Sequence, residues 1–225
     1  MRPLLVLRPE PGASATAERA RKLGLDPVLL PLFEVEPIEW AAPDPSTFDA
    51  LLLTSANTIR MGGNQLERLR GLPVHAVGQA TADAAHEAGF DVATSGDAGI
   101  ERLLDSVPSD LKLLHLCGED RREPDGARQS ITPLVVYRSR ALPHVNLGAA
   151  EGAVALIHSP CAGRRFAELA DAAPLDRRTI AIAAISAAAA DAVGGGWAAV
   201  EISERPADDV LLALAARLCN KPPPQ

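Results

Sequence analysis

Four small hydroxyl residues stand where apolar runs give way to helical segments: Ser55, Thr81, Ser159 and Ser186. Each lies at or near a predicted helix N-terminus, where the backbone N–H groups have no partner inside the helix. Hydroxyls and free amides that point into one space bind carboxylates without basic side chains. The simpler alternative is that each residue only caps its helix, which stabilises it by about 1 kcal/mol. We favour ligand contact because the four residues belong to a duplicated pattern.

The duplication has two parts. Residues 52–57 align with 156–161, and residues 77–82 align with 182–187, at offsets of 104 and 105 residues. In each second part a glycine, Gly89 or Gly194, follows seven residues after an alanine, as expected for a two-turn helix that ends at glycine.

The two copies differ in this alignment. Ala183 and Ser186 stand in place of Gly78 and Thr81, and His158 stands in place of Thr54. Because glycine allows a ligand to approach the backbone closely, we expect the copy at 54–82 to hold a ligand more tightly.

The hydroxyls must be positioned by strands that end just before them. Short apolar runs typical of buried parallel strands, each followed by a helical stretch, recur at Leu4–Leu7, Ala50–Leu53, Val74–Val77, Leu113–Leu116, Val154–Ile157 and Ile180–Ala183. This alternation predicts an α/β protein whose parallel sheets are flanked by helices. In such sheets, ligands bind at the carboxyl ends of the strands.

Two Pro-bounded extended stretches break the alternation, at 29–38 and 132–140. If they run side by side as connecting strands, the chain crosses twice between two domains. We therefore predict a discontinuous domain of residues 1–32 plus 146–225, an inserted domain of residues 44–130, and connecting segments at 33–43 and 131–145. A chain of 225 residues is about right for two such domains.

Composition narrows the class of partner. The net charge of −7 disfavours nucleic acid, which is bound largely through Lys and Arg. No apolar run approaches the roughly 20 residues that span a bilayer, and the N-terminus does not resemble a signal peptide, so we expect a cytoplasmic protein. The three widely spaced cysteines form no CxxC pair and predict neither a disulfide framework nor a zinc site. Residues 221–225, with three prolines, predict a loose tail.

The series of motifs resembles the uroporphyrinogen-III synthase family. The matching segments, in the order the family has them, are Leu7-Arg8-Pro9, Thr54-Ser55-Ala56-Asn57, Val77-Gly78 with Thr81-Ala82, Val136-Tyr137-Arg138 and Ser159-Pro160. The resemblance implies two flavodoxin-like domains joined by a two-stranded β linker, with the active site in a cleft between domains that close about a hinge. It further implies a monomer that uses no cofactor and no metal.

The family's reaction cyclises the linear tetrapyrrole hydroxymethylbilane to uroporphyrinogen III, with inversion of ring D and loss of water. The resemblance makes Tyr137, the only tyrosine, the candidate catalytic proton donor to the departing hydroxyl. An alternative role for Tyr137 is aromatic packing at the hinge. The substrate-binding candidates implied for this polycarboxylate are Arg8, Thr54, Ser55, Asn57, Gly78, Thr81, Ser159 and Ser186.

One rival function belongs to a different class. A cytosolic two-domain binding protein or regulator would capture a small anionic ligand by hinge closure without chemistry. Turnover of hydroxymethylbilane distinguishes the two hypotheses.

Overall fold

The computed structural model describes residues 1–96, 99–121 and 123–221. The strands are β1 (Leu4–Val6), β2 (Pro27–Leu29), β3 (Phe33–Pro37), β4 (Ala50–Leu53), β5 (Val74–Val77), β6 (Val92–Gly96), β7 (Lys112–Gly118), β8 (Ser130–Ala141), β9 (Val154–Ile157), β10 (Ala181–Ala184) and β11 (Ala199–Ile202). The α-helices are α1 (Gly12–Lys22), α2 (Asn57–Met61), α3 (Gln79–Glu87), α4 (Ile100–Asp105), α5 (Pro160–Ala172), α6 (Ala187–Val193) and α7 (Asp208–Cys219). Short 3₁₀ helices lie at Pro45–Thr47, Gly63–Leu69, Leu147–Ala149 and Arg177–Thr179.

The chain divides into two compact units. Unit 1 contains residues 1–34 and 141–225, and unit 2 contains residues 35–140. Each unit has its own sheet and its own hydrophobic core.

Unit 1 is built on a five-stranded sheet in the order β11-β10-β9-β1-β2, and all four pairings are parallel. Successive side chains of a strand point to opposite faces, so the sheet buries apolar residues on both sides. One face, with Leu5, Ile157 and Ile182, packs with Phe166 of α5 and Val193 of α6. The opposite face packs against residues of α1 and α7. The core strands are therefore covered by helices on both sides, as the continuous apolar runs predict.

Unit 2 contains most of a six-stranded sheet in the order β3-β8-β7-β4-β5-β6. Strands β8, β7, β4, β5 and β6 are joined by parallel pairings. One face packs with residues of α3 and of the 3₁₀ helix Gly63–Leu69, and the other packs with Leu103 and Leu104 of α4. The predicted α/β class, with parallel sheets flanked by helices, is confirmed.

The two extended stretches lie side by side, since β3 neighbours β8. The amide of Ile38 donates to the carbonyl of Val136, and the amide of Leu142 donates to the carbonyl of Leu32. Strand β8 is also paired with β7 along Lys112–Gly118, so it belongs to the six-stranded sheet as well as to the connection.

The remaining predictions concern membrane spans and the C-terminal tail. Within the described residues, no helix is both long and apolar enough to cross a membrane. The predicted loose tail falls mostly on residues 222–225, which lie outside the described residues.

Candidate active site

Four neighbouring strands of unit 2 bring predicted site residues to one edge of the sheet. Strands β8, β7, β4 and β5 are adjacent and parallel, so their carboxyl ends lie at the same edge. Tyr137 lies in β8 opposite the last residue of β7, Ser55 follows β4, and Gly78 follows β5. This edge is where an open parallel sheet binds ligands.

Tyr137 is partly buried against the core of unit 2. Burial raises the pKa of its phenol, while a hydrogen bond with the side chain of Ser55 acts in the opposite direction and lowers it. The net effect is a raised pKa, so the hydroxyl carries its proton at neutral pH. The structure thus joins the candidate proton donor to a residue of the duplicated pattern.

Gly118, the last residue of β7, lies directly beside the ring of Tyr137. The two residues are paired across β7 and β8, after a register shift between Cys117 and Gly118. A Cβ atom on Gly118 would lie 2.7 Å from ring atoms Cε2 and Cζ of Tyr137 and 3.0 Å from its hydroxyl oxygen. Sequence analysis did not identify Gly118. The sequence signal that could have found it is a glycine at the end of an apolar strand.

Thr54 contacts a buried histidine at the same edge. Its Oγ1 lies 3.2 Å from Nε2 of His115, which is 2 % exposed. Burial, with a smaller contribution from the charge of Arg121, lowers the pKa of His115 to about 4. His115 is therefore neutral at pH 7, and the Thr54 hydroxyl is part of a neutral pair.

Ser55 and Asn57 form the start of the short helix α2. The Asn57 amide donates to Oγ of Ser55 at 3.2 Å. The side-chain oxygen of Asn57 accepts from the Arg60 guanidinium at 3.3 Å. Ser55 therefore accepts from a backbone amide at the start of α2 and also contacts the candidate proton donor, although Ala56 is the N-cap of this helix.

Gly78 precedes α3 with a φ of +84°, a conformation that favours glycine. Its amide donates to the carbonyl of Gly96 at 2.8 Å, which fixes the turn against β6. Thr81 lies in the first turn of α3 and is only 5 % exposed. The turn at Gly78 therefore leaves backbone atoms near the sheet edge, while the side chain of Thr81 points largely into the protein.

In unit 1 the corresponding serines are helix caps. Ser159 accepts from the Ala162 amide at 3.1 Å at the start of α5, and Ser186 accepts from the Ala189 amide at 3.3 Å at the start of α6. The capping role that the sequence left open is thus present at both serines. Each hydroxyl keeps its own hydrogen as a donor.

The predicted match of Ala183 with Gly78 is wrong. Ala183 lies inside β10 and is fully buried, whereas Gly78 follows the end of β5. Ser186 immediately precedes α6, whereas Thr81 lies inside α3. The strand-to-helix connection of the second copy is longer than that of the first. The sequence alignment, which allowed no gap within this part, therefore placed the second copy out of register.

Arg8 belongs to an ionic cluster after β1. One of its terminal nitrogens lies 3.5 Å from Asp208, the first residue of α7, and 3.3 Å from Oγ1 of Thr16. His158 Nε2 lies 2.7 Å from the same carboxylate, and so does an Arg19 nitrogen. A carboxylate only accepts hydrogen bonds, so His158 and Arg19 donate to Asp208, while Arg8 forms an ion pair with it.

The electrostatics of this cluster follow from its pairing. Burial is the largest effect on Asp208 and raises its pKa, but hydrogen bonds from His158 and Arg19 together with their charges outweigh it, and the pKa lies well below the usual range. Burial lowers the pKa of Arg8, and the charge of Asp208 opposes this change. Sequence analysis assigned Arg8 to the substrate but did not detect Asp208 as its partner, since 200 residues separate them.

Among the described residues, no group of three or more His, Cys, Asp and Glu side chains is arranged to hold a metal ion. His115 and Cys117 lie in β7 and are buried there, which agrees with a core position.

A scan against family models matches residues 14–213 to the family described as uroporphyrinogen-III synthase HemD. No protein in the set of curated proteins matches the sequence.

Solved structures with a similar fold carry related names. A uroporphyrinogen-III synthetase from Helicobacter pylori is 19 % identical, with a TM-score of 0.65, over 97 % of this chain and 100 % of that one. A mutant uroporphyrinogen-III synthase from the extremely thermophilic bacterium Thermus thermophilus is also 19 % identical, with a TM-score of 0.50, over 98 % of this chain and 100 % of that one. At this identity the likeness concerns the fold.

Proposed function

Since the family model covers most of its length, the chain belongs to the uroporphyrinogen-III synthase family, and we propose how its strand ends serve that family's reaction. The protein is a cyclising lyase of tetrapyrrole biosynthesis. It closes hydroxymethylbilane to uroporphyrinogen III, with inversion of ring D and loss of water. The match over residues 14–213 is the observation that carries this assignment.

Tyr137 donates the proton that lets the hydroxyl of the substrate's first ring leave as water. A protonated phenol at a sheet edge, beside Ser55 and partly shielded from water, supports this role. Its pKa lies well above 7, so it is a weak general acid, and its contribution is correspondingly limited. Because hydroxymethylbilane cyclises unaided to the wrong isomer, most of the acceleration towards the right one comes from holding the reacting rings in position.

The carboxylates of the substrate bind hydroxyls, amides and one guanidinium. In unit 2 the contacts are the hydroxyls of Thr54 and Ser55, the amide of Asn57, the backbone around Gly78, and the small accessible part of Thr81. Neither the left-handed turn at Gly78 nor the neutral His115 next to Thr54 brings a negative charge to this edge. Both features therefore support the binding of carboxylates there.

In unit 1 the contacts are Arg8, Ser159 and Ser186. The side chain of Arg8 is 35 % exposed, donates to Thr16 and pairs with Asp208, and so uses only part of its five possible hydrogen bonds. Ser159 and Ser186 accept from helix amides and can each donate to a carboxylate.

We further propose that the protein works as a cytoplasmic monomer. The cysteines Cys117, Cys161 and Cys219 are free thiols, which fits a reducing compartment.

One experiment separates the enzyme from a binding protein. The purified chain is given hydroxymethylbilane, the products are oxidised, and the type I and type III isomers are resolved. We expect type III to predominate. Type I alone, at the rate seen without protein, contradicts the assignment and favours the ligand-binding alternative.

The role of Tyr137 is tested in the same assay. Tyr137→Phe keeps the ring and removes the proton, so we expect kcat to fall by about 10- to 100-fold with type III still formed. The matched control is Phe48→Tyr, which adds the same single oxygen at a partly buried phenylalanine that precedes β4 in unit 2. Unchanged kcat in Tyr137→Phe leaves Tyr137 with a packing role only.

A further inference from the structure

Tyr137 must cross a neighbouring strand to meet Ser55. Tyr137 lies in β8 and Ser55 follows β4, and β7 runs between these two strands. Adjacent strands are about 4.8 Å apart, so two spacings come to about 10 Å. A phenol that reaches from β8 towards the end of β4 therefore passes over the end of β7.

Gly118 is the residue of β7 over which the ring passes. A hypothetical Cβ would lie 2.7 Å from two ring carbons, closer than real Cβ atoms come to other heavy atoms, and 3.0 Å from the hydroxyl oxygen, which is a tight contact. The ring is held from its other side by the core of unit 2, and the carbonyl of Tyr137 accepts from the Glu119 amide at 3.0 Å. An alanine at Gly118 therefore requires the phenol end of Tyr137 to shift from its place over β7.

No backbone requirement explains glycine at this position. Gly118 is absent from the set of glycines with positive φ, which includes Gly78 and Gly89. Some other glycines with ordinary φ are also crowded, such as Gly12 against Arg8, whereas Gly71 is open, since nothing lies within 4 Å of a Cβ placed on it. The three atoms nearest to a Cβ placed on Gly118 all belong to Tyr137.

We infer that Gly118 is the positioning residue of Tyr137, because a missing side chain at the end of β7 lets the phenol lie across the strand and meet Ser55. This inference rests on the proposed function for its catalytic consequence. The position of the phenol, which Gly118 allows, does not depend on that function.

The test is Gly118→Ala, with Gly71→Ala as the matched control in open space. The added methyl displaces the ring, so kcat falls by about 10- to 100-fold with little change in KM, since small misplacements of a reacting group have effects of this size. In a Tyr137→Phe background the same alanine adds no further loss of kcat, because the proton it would misplace is already absent. Gly71→Ala leaves both constants unchanged.

A spectroscopic measurement separates failure of this inference from failure of the proposed function. Tyr137 is the only tyrosine, so its phenolate absorbance can be titrated in the intact chain. Gly118→Ala exposes the phenol, which lowers its pKa, and breaks the hydrogen bond with Ser55, which raises it. Because burial is the larger of the two effects, the titration midpoint moves down towards its ordinary value. An unmoved midpoint overturns the inference, whatever the activity. A moved midpoint with full activity supports the placement and contradicts the catalytic role of Tyr137.

A second variant keeps the inference testable if Gly118→Ala does not fold. Tyr137→Val removes the ring and keeps a residue that suits a strand. We expect Gly118→Ala to be tolerated in the Tyr137→Val chain, with an unfolding midpoint equal to that of Tyr137→Val alone. If the double variant also fails to fold, or is as destabilised as the single alanine variant, the contact with Tyr137 is not the reason for glycine.

Discussion

The carboxyl edges of the two sheets carry the same hydroxyl pattern, yet they differ in charge and in what the hydroxyls contact. At the six-stranded sheet, Ser55 contacts the phenol of Tyr137 and Thr54 contacts a neutral histidine. At the five-stranded sheet, Ser159 caps its helix, and the polar contacts nearby converge on the carboxylate of Asp208. The pattern therefore marks where helices begin, and the residues brought in by other strands decide the chemistry of each edge.

The difference in charge predicts that the two units respond to acid in different pH ranges. The pKa of buried His115 in unit 2 is lowered to about 4, so between pH 6.5 and 4 the unfolded chain binds a proton that the native unit does not. The free energy of unfolding of unit 2 should then fall by about 3 kcal/mol as the pH drops through this range. Burial also lowers the pKa of His75, which acts in the same direction.

Asp208 in unit 1 behaves differently. Its pKa is lowered in the folded unit, so its stabilising effect is complete above about pH 4, the ordinary carboxyl value, and is lost only below it.

Each unit contains one tryptophan that reports its unfolding. Trp40 lies in unit 2 and donates to the carbonyl of Gly62, and Trp197 stacks on Phe166 in unit 1. Urea titrations of Trp197→Phe and Trp40→Phe from pH 7 to 4 should show the larger loss in the Trp40 signal. His115→Gln should flatten that loss, and His86→Gln, at an exposed histidine of the same unit, should not. Equal acid sensitivity of both units contradicts the comparison.

The next largest effect concerns the carboxylate that organises the edge of unit 1. Asp208→Ala leaves Arg8 and His158 without their shared partner, and we expect the free energy of unfolding of unit 1 to fall by about 2 kcal/mol at pH 7. This value is below that of a fully buried pair because the Arg19 side chain is 47 % exposed.

Asp209 offers a matched control, since it is the next residue of α7 and is exposed. Asp209→Ala should change the free energy of unfolding by less than about 0.5 kcal/mol, measured by Trp197 fluorescence in urea. Similar losses for Asp208→Ala and Asp209→Ala mean that the helix dipole, not the cluster, is responsible.

The smallest effect separates capping from substrate contact. Ser159→Ala removes a helix cap and should lower the free energy of unfolding by about 1 kcal/mol. Ser55→Ala should instead act mainly on turnover, because it removes the hydrogen bond that lowers the pKa of Tyr137.

The variants Ser159→Ala and Ser55→Ala are compared by kcat/KM for hydroxymethylbilane and by the midpoint of the Tyr137 absorbance titration. We expect the larger loss of kcat/KM, and a midpoint raised above that of the unaltered chain, in Ser55→Ala. A larger loss of kcat/KM in Ser159→Ala contradicts the expectation that the hydroxyl of unit 2 matters more for turnover than the hydroxyl of unit 1.

Much of the fold was readable from local pattern. The strands Ala50–Leu53, Val74–Val77 and Val154–Ile157 have the predicted bounds, because a strand buried on both faces must be apolar along its whole length. The glycine ends of the two duplicated helices were also correct, since Gly89 and Gly194 both have positive φ. The motif series identified the family, which the family model confirms.

By itself, then, the sequence determined six core strands, several helix starts, the parallel α/β class and the family, because these depend on periodicity, capping chemistry and motif order along the chain. Only the tertiary structure decided that the second copy is offset at Ala183, that Arg8 pairs with Asp208, and that Gly118 lies under Tyr137. Each of these facts depends on which strands are neighbours and how long a connection is. Contacts between residues that are far apart in sequence leave no periodic signal in the chain.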